Sequence, residues 1–122
     1  MKELAISIAN YIDDKKGEDV VVLDLVGKSS ISDYFVIATG RSDRHATSLA
    51  KHVEDEVWEH YQLDVHHKEG HHNGDWVVLD YIDIIVHIFN GDKRDYYNLE
   101  KIWADAESVI YDAKQTEDAV DR

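Results

Sequence analysis

The residues best suited to chemistry in this sequence lie in the segment HHKEGHHNGD, residues 66–75. It combines four histidines with two acidic residues: His66, His67, Glu69, His71, His72 and Asp75. Zinc sites need several such ligands converging on one point. If residues 66 and 67 lie on a strand, their side chains point to opposite faces, and the second histidine pair falls in a turn. We predict a solvated hairpin tip without metal ligands, and a structural zinc or iron site is the alternative.

A second candidate for chemistry is ATGRSDRH, residues 38–45, which predicts a strand, a glycine turn and a helix N-terminus. Helix N-termini can hold anions, and Arg41 and Arg44 would assist. Nucleotidyltransferases use a glycine-serine turn in a similar context, followed by paired carboxylates on a nearby strand that hold magnesium. Here Glu54, Asp55 and Glu56 follow one another on a predicted helix and therefore point in different directions.

Catalytic residues are not predicted by any local pattern. Asp80 and Asp83 flank a hairpin turn far downstream of the glycine turn, and nothing places a histidine and an aspartate near the serines of the segment GKSSISD. The glycine turn is therefore interpreted as a simple strand-to-helix connection. A small nucleotide- or metal-dependent enzyme remains the alternative.

Composition and charge restrict the class of protein and of partner. The 122 residues suffice for one domain with a single core, and the chain contains no cysteine. The N-terminus lacks the apolar core of a signal peptide, and no stretch approaches the roughly 20 apolar residues of a membrane helix. We expect a cytoplasmic protein without membrane contact. The formal net charge of −13 disfavours direct nucleic-acid binding and would attract a basic protein.

The helices and strands that would position any site can be predicted from the spacing of apolar residues. Apolar residues at helical spacing predict a helix over residues 2–15, and VVVLDL at 20–25 predicts a strand. YFVIAT at 34–39 is almost continuously apolar, which predicts a strand buried on both faces. Ser42 is the expected N-cap of a second helix ending near His60.

The second half of the chain predicts three more strands and a last helix. The strands are LDVHHKEG, DWVVLD and DIIVHIF, the last two joined tightly at Tyr81-Ile82. An apolar stripe over residues 99–110 predicts the helix, and the polar residues 114–122 predict a frayed tail. The order α-β-β-α-β-β-β-α predicts an α/β fold with a mixed sheet of about five strands packed with helices.

The segment DWVVLDYIDIIVHIFNGDKRDYYNLEKIW, residues 75–103, carries much of the aromatic surface. Strand alternation makes both faces of its two strands apolar enough to pack. A histidine such as His87 in this setting is more often a core residue than a functional one. Exposed Trp, Tyr and Arg side chains would nevertheless suit a protein interface.

The chain is identified at these motifs as resembling the ribosomal silencing factor family, the RsfS group that includes the plant Iojap protein. The matching motifs are SISDYFVIATGRS, EG, WVVLDY, VHIF, R-D-YY-NLE and IW-DA. They cover nearly the whole chain and predict a single RsfS/Iojap-like domain over residues 1–113. Ile82 departs from the family pattern, which often has glycine in this hairpin turn.

The resemblance implies a binding function. Family members bind large-subunit ribosomal protein fourteen on the large ribosomal subunit, block joining of the small subunit sterically, and repress translation under nutrient limitation. It implies a nucleotidyltransferase-like fold without catalytic carboxylates, and it implies neither a cofactor nor a metal. The motif positions carried over as partner-binding residues are Trp76, Asp80, Tyr81, His87, Arg94 and Tyr97. Trp76 and Tyr97 are the expected anchors. An exposed sheet edge leaves a homodimer open for the free protein.

Overall fold

The computed structural model describes residues 1–91, 93–98 and 107–109, and of residues 96, 97 and 107–109 it describes the backbone alone. Helices and strands follow one another as α1 (Lys2–Asp14), β1 (Glu18–Asp24), β2 (Tyr34–Gly40), α2 (Asp43–Tyr61), β3 (His67–Glu69), β4 (Trp76–Asp80), β5 (Ile84–Asn90), α3 (Lys93–Tyr97) and β6 (Glu107–Val109). The predicted order of the first seven elements is confirmed; a short helix, α3, precedes the range predicted for the last helix, and β6 follows.

The described strands form one six-stranded sheet in the order β3-β4-β5-β2-β1-β6. Strands β2 and β5 are parallel and lie at the centre, while the other neighbouring pairs are antiparallel. The mixed α/β fold expected from the sequence is confirmed. The register of β5 against its neighbours places His87 beside Val78 of β4 and Ile37 of β2.

Helices α1 and α2 pack together on one face of the sheet. In α2 the buried side chains are Ala46, Leu49, Ala50, Val53 and Val57, the stripe that the spacing predicted. Ser42 is the N-cap, and its hydroxyl accepts a hydrogen bond of 3.0 Å from the backbone N–H of His45. Neither helix, nor any other in the described residues, combines the length and apolarity needed to cross a membrane.

The two faces of the sheet carry separate apolar clusters. The helix face, which packs against α1 and α2, includes Val22, Val36, Ala38, Val77, Leu79, Tyr81, Ile84, Val86 and Ile88. The second face consists of Leu23, Leu25, Phe35, Ile37, Ile85 and Phe89, with Val21, Trp76 and Val78 packed against them while partly exposed. Because alternate residues of a strand point to opposite faces, β2 contributes to both clusters and is buried along its whole length.

The prediction of a helix over residues 99–110 is wrong at its end. Residues Glu107–Val109 form β6, which pairs antiparallel with β1 through Val22, Leu23 and Asp24. An edge strand exposes unpaired N–H and C=O groups, and pairing them outweighs a weak helical periodicity. Residues 99–106 and the predicted tail, 114–122, lie outside the described residues.

The tight turn between β4 and β5 contains the departure noted in the sequence. Ile82 adopts a φ of 76°, the left-handed region that glycine occupies without strain. A residue with a Cβ pays about 1–2 kcal/mol there, and β-branching makes the conformation rarer still. The carboxylate of Asp80 accepts a 2.7 Å hydrogen bond from the N–H of Ile82 and holds the turn.

Candidate functional site

Trp76, the first residue of β4, lies on the second face and is partly exposed. Its indole N–H donates a 3.0 Å hydrogen bond to Nδ1 of His87 on β5. Its ring stacks on Phe89, the residue paired with it in register, at a centroid distance of 5.2 Å and an interplanar angle of 26°. A polar and an aromatic contact therefore orient a tryptophan of which part still faces outward.

The imidazole of His87 is buried among aromatic side chains. Its ring centroid lies 4.6 Å from that of Phe35 and 5.9 Å from that of Trp76. Burial lowers the pKa of His87 to about 4, because the charged form would lose its hydration. The ring is neutral at physiological pH, and because Nδ1 accepts from the indole N–H of Trp76, its single proton belongs on Nε2. This histidine supports the surface from within.

Beside Trp76 lies an open pocket of about 310 Å³. Its lining residues come from the β3–β4 hairpin: Glu69, Gly70, Asn73, Asp75, Trp76 and Val78. A Cβ at Gly70 would lie 1.9 Å from the carbonyl oxygen of Trp76, so only glycine lets this hairpin approach so closely. An indole, an aliphatic side chain and two carboxylates together suit a basic side chain with an aliphatic stem.

Asp80 and Tyr81 stand at the opposite end of β4 from Trp76. Asp80 pairs in register with Ile85 and His67 and is partly exposed, while its carboxylate holds the turn. Tyr81 lies on the helix face, and its hydroxyl is buried with no hydrogen-bond partner in the described part of the chain. Burial raises the pKa of this phenol, and the carboxylates of Glu54 and Asp64 raise it further.

Arg94 of α3 is buried and ties the ends of two strands together. Its guanidinium donates to the hydroxyl of Thr39 at 3.1 Å and to the backbone carbonyl of Asp19. These bonds dock α3 where β1 begins and β2 ends. Tyr97 belongs to α3, but its side chain lies outside the described residues.

The structure thus brings together some of the residues predicted from motif matching and separates others. Trp76, Asp80, His87 and Arg94 are associated with the second face, whereas Tyr81 lies on the helix face. Sequence reasoning missed three participants: Phe89 under the indole, and Val78 and Glu69 in the pocket beside it. Strand alternation places Val78, two positions after Trp76, on the same face, and the predicted hairpin joins β3 to β4, but no local signal gave the register that sets Glu69 opposite Val78.

The histidine-rich segment is divided between a strand and a turn, and His66 precedes β3 so that it does not alternate with His67 on one strand. His67 is in β3 and its Nε2 contacts a carboxylate oxygen of Glu69 at 2.9 Å, while His71 and His72 lie in the turn with ring centroids 4.0 Å apart. No group of three or more His, Cys, Asp or Glu side chains suited to a metal occurs among the residues that the structure describes.

The glycine turn before α2 uses its polar groups internally. The backbone N–H of Arg41 donates to Nδ1 of His45 at 2.9 Å, and Ser42 caps the helix. A Cβ at Gly40 would lie 2.8 Å from the backbone nitrogen of Ala46, so glycine permits close packing of strand end and helix. This geometry matches the simple connection that the sequence predicted.

Comparison with known proteins places this arrangement in one family. A sequence model of the family described as "Ribosomal silencing factor during starvation", RsfS, matches residues 1–122. Ribosomal silencing factor RsfS of Bacillus subtilis is 43% identical over 94 residues, which cover 77% of this chain and 79% of that protein. A crystal structure of a Chromobacterium violaceum protein has a TM-score of 0.75 and 35% identity, covering 84% of this chain and 82% of that one.

A more distant relative comes from the mouse. The protein named "Mitochondrial assembly of ribosomal large subunit protein 1" is 27% identical over 99 residues, which are 79% of this chain and 43% of that protein. The match to the family model spans the whole sequence, and it agrees with the motifs and with the fold. The chain therefore belongs to the ribosomal silencing factor (RsfS) family.

Proposed function

We propose that this chain represses translation by binding the large ribosomal subunit through large-subunit ribosomal protein fourteen and blocking the small subunit sterically. It would act in the cytoplasm, under nutrient limitation, as a stoichiometric regulator without a catalytic step. Family membership supports the ribosomal role. One observation supports the proposed contact: the indole of Trp76 is partly exposed beside an open pocket, and His87 and Phe89 hold it in place.

Trp76 has the properties of an interface anchor. Large aromatic side chains dominate binding energy when their orientation is fixed before association, because less conformational entropy is lost. Its hydrogen bond and its stacking contact supply that fixation. Tyr97 is the second proposed anchor, and Asp80 is proposed as a polar contact at the other end of β4.

The buried members of the predicted set are proposed as supports. His87 orients the indole, Arg94 docks α3, and Tyr81 fills the helix face. None of these three presents more than a small fraction of its surface to solvent, so each would act on the partner through its neighbours. Their replacement would lower affinity by disturbing the surface.

Charge supports a basic protein partner in preference to nucleic acid. The net charge of −13 would repel ribosomal RNA and attract a basic ribosomal protein. The pocket beside Trp76 repeats this preference locally, since Glu69 and Asp75 flank an apolar floor. We propose that a lysine or arginine of the partner enters this pocket.

Sedimentation tests the proposal. Purified large subunits are mixed with the protein, without nucleotide, and pelleted. Wild-type protein is expected in the pellet, and Trp76→Ala is expected to weaken binding about tenfold or more, near 1.4 kcal/mol. Trp58→Ala is the matched control, because Trp58 is an exposed tryptophan on α2, away from the pocket.

Two results would overturn this reading. Absence of wild-type protein from the pellet, together with nucleotide turnover, would favour a small nucleotide-dependent enzyme. If the Trp76 and Trp58 variants lose binding equally, Trp76 is not the anchor of the interface. Trp76→Phe keeps an aromatic ring against Phe89 but loses the indole N–H and part of the ring surface, so binding intermediate between wild type and Trp76→Ala is expected if the contact is aromatic.

A further inference from the structure

The turn between β4 and β5 presents an apolar side chain in a costly conformation. Ile82 has a φ of 76°, and its side chain is 59% exposed. Hydrogen bonds on both sides keep the turn closed: Asp80 accepts from the N–H of Ile82, and the N–H of Tyr81 donates to the carbonyl of Ile84 at 2.8 Å. Strain at a residue that contributes little to the core suggests a role outside the fold.

Two further exposed aliphatic side chains lie in the loop that contacts this turn. Ile31 is 69% exposed and Val26 is 53% exposed. The loop and the turn are joined because the N–H of Asp33 donates to the carbonyl of Asp83 at 3.0 Å and the hydroxyl of Ser32 donates to the same oxygen at 2.9 Å. We call Val26, Ile31 and Ile82 the aliphatic end patch.

Four carboxylates lie in the same two segments as the aliphatic end patch, and two of them accept from the backbone N–H of Val26 and Ile82. They are Asp24, Asp33, Asp80 and Asp83, and Lys28 is the one cationic residue within residues 24–34 and 80–84. Burial raises the pKa of Tyr34, and the negative charges of Asp24 and Asp33 raise it further. Two copies of such a patch would repel each other, and so would a nucleic-acid phosphate. A basic surface would be attracted.

We propose that the aliphatic end patch makes a second contact with the large ribosomal subunit, on a basic ribosomal protein surface whose aliphatic groups pack on Ile82 and Ile31. Lysines or arginines of that surface would face the aspartates of the two segments. This inference rests on the proposed function and adds a contact at the opposite end of β4 from Trp76. The two ends of β4, Trp76 and Asp80, are four residue steps apart, about 13 Å, and the patch lies just beyond the second end, so one rigid strand would hold both contacts.

The first test measures dissociation of labelled protein from purified large subunits. Ile82→Asn keeps a residue that tolerates positive φ and removes the aliphatic group. We expect dissociation about tenfold faster, which corresponds to about 1.4 kcal/mol, with no loss of thermal stability. Ile82→Val keeps both the branching and the apolar surface, so it is the matched control and should dissociate within twofold of wild type.

The outcomes separate this inference from the proposed function. If wild-type protein binds and Ile82→Asn dissociates at the same rate, the second contact is wrong and the Trp76 contact stands. If wild-type protein does not bind large subunits, the proposed function fails and this inference fails with it.

Cross-linking identifies the occupant. The chain has no cysteine, so Ile82→Cys can carry a single benzophenone group. Irradiation on purified large subunits should link it to a basic ribosomal protein, identified by mass spectrometry. Linkage to ribosomal RNA, linkage to a second copy of this chain, or no linkage despite bound protein would each overturn the proposed occupant.

Discussion

The indole N–H of Trp76 and Nδ1 of His87 form a 3.0 Å hydrogen bond between β4 and β5. The bond requires the neutral tautomer that carries its proton on Nε2; burial keeps the ring neutral by lowering the pKa of His87 to about 4, and the indole N–H selects that tautomer. The remaining ring nitrogen, Nε2, has no hydrogen-bond partner within the described part of the chain. The position of the proposed anchor thus depends on the protonation state of a buried histidine.

Stability should therefore fall as the pH is lowered through a defined range. Unfolded His87 takes up a proton near pH 6.5, and the folded protein does so near 4. Between these values the unfolded state binds more protons, so the contribution of His87 is complete above about pH 6.5 and is lost progressively towards pH 4. We expect its share of the loss between pH 7 and 4.5 to be about 2–3 kcal/mol, measured by urea unfolding.

His87→Gln is the control for that measurement. Glutamine offers an acceptor to Trp76 but does not titrate, so the variant should lose less stability than wild type over the same pH range. Other titrating groups are common to both proteins and cancel in the difference. Equal losses in the two proteins would show that His87 is not the group responsible.

Ile82→Gly should stabilise the protein. Glycine relieves the left-handed strain of about 1–2 kcal/mol, and its greater freedom in the unfolded chain returns part of this gain. We expect a net increase of about 1 kcal/mol in the free energy of unfolding. Ile31→Gly is the matched control, since Ile31 is equally exposed without a positive φ. A stability gain of the same size in the control would exclude strain as the cause.

The histidine-rich segment should be dispensable for binding. Replacing His66, His67, His71 and His72 together with Gln removes ligands that strand alternation scatters, so large-subunit affinity should stay within a few-fold of wild type. A loss beyond about a hundredfold, near 2.7 kcal/mol, would assign the cluster a direct role. Repeating the assay with added chelator checks whether any loss depends on metal.

Salt should act mainly on association. Attraction between an acidic factor and a basic ribosomal protein raises the on-rate, and ions screen it over about 8 Å at physiological strength. Apolar contacts of Trp76 are little affected by screening, so residual binding should persist at high salt. Stopped-flow measurements of both rates across a salt series provide the check. If the association rate does not change with salt concentration, electrostatic attraction does not contribute to binding.

If the protein acts by covering the surface where the small subunit joins, one molecule should inhibit one large subunit. Inhibition of translation should rise in proportion to the fraction of large subunits occupied, and it should be absent when small subunits are already joined. Titration of the protein into a reconstituted translation reaction measures this. Full inhibition at far less than one molecule per ribosome would contradict the occlusion mechanism.

Local sequence signals determined much of the fold, because the interactions behind them are local or depend only on periodicity. Ser42 was predictable as a helix cap because its hydroxyl bonds an N–H three residues away. The unbroken apolar run of β2 indicated burial on both faces, and the structure confirms it. Family motifs identified the silencing-factor family, although they could not separate residues that contact a partner from residues that support the fold.

Tertiary structure decided the pairings between distant segments, such as the parallel pairing of β2 with β5, and the registers within the two hairpins. The register of β4 on β5 places Trp76 opposite Phe89 and within reach of His87, and the pairing of β3 with β4 brings Glu69 beside Val78. Residues 107–109 form a strand because β1 offers an unpaired edge there, a condition that their own periodicity does not encode. Ile82 adopts a positive φ because the register of β4 on β5 places it in the tight turn, where short-range hydrogen bonds hold the turn closed; the register, which no local pattern contains, imposes that conformation.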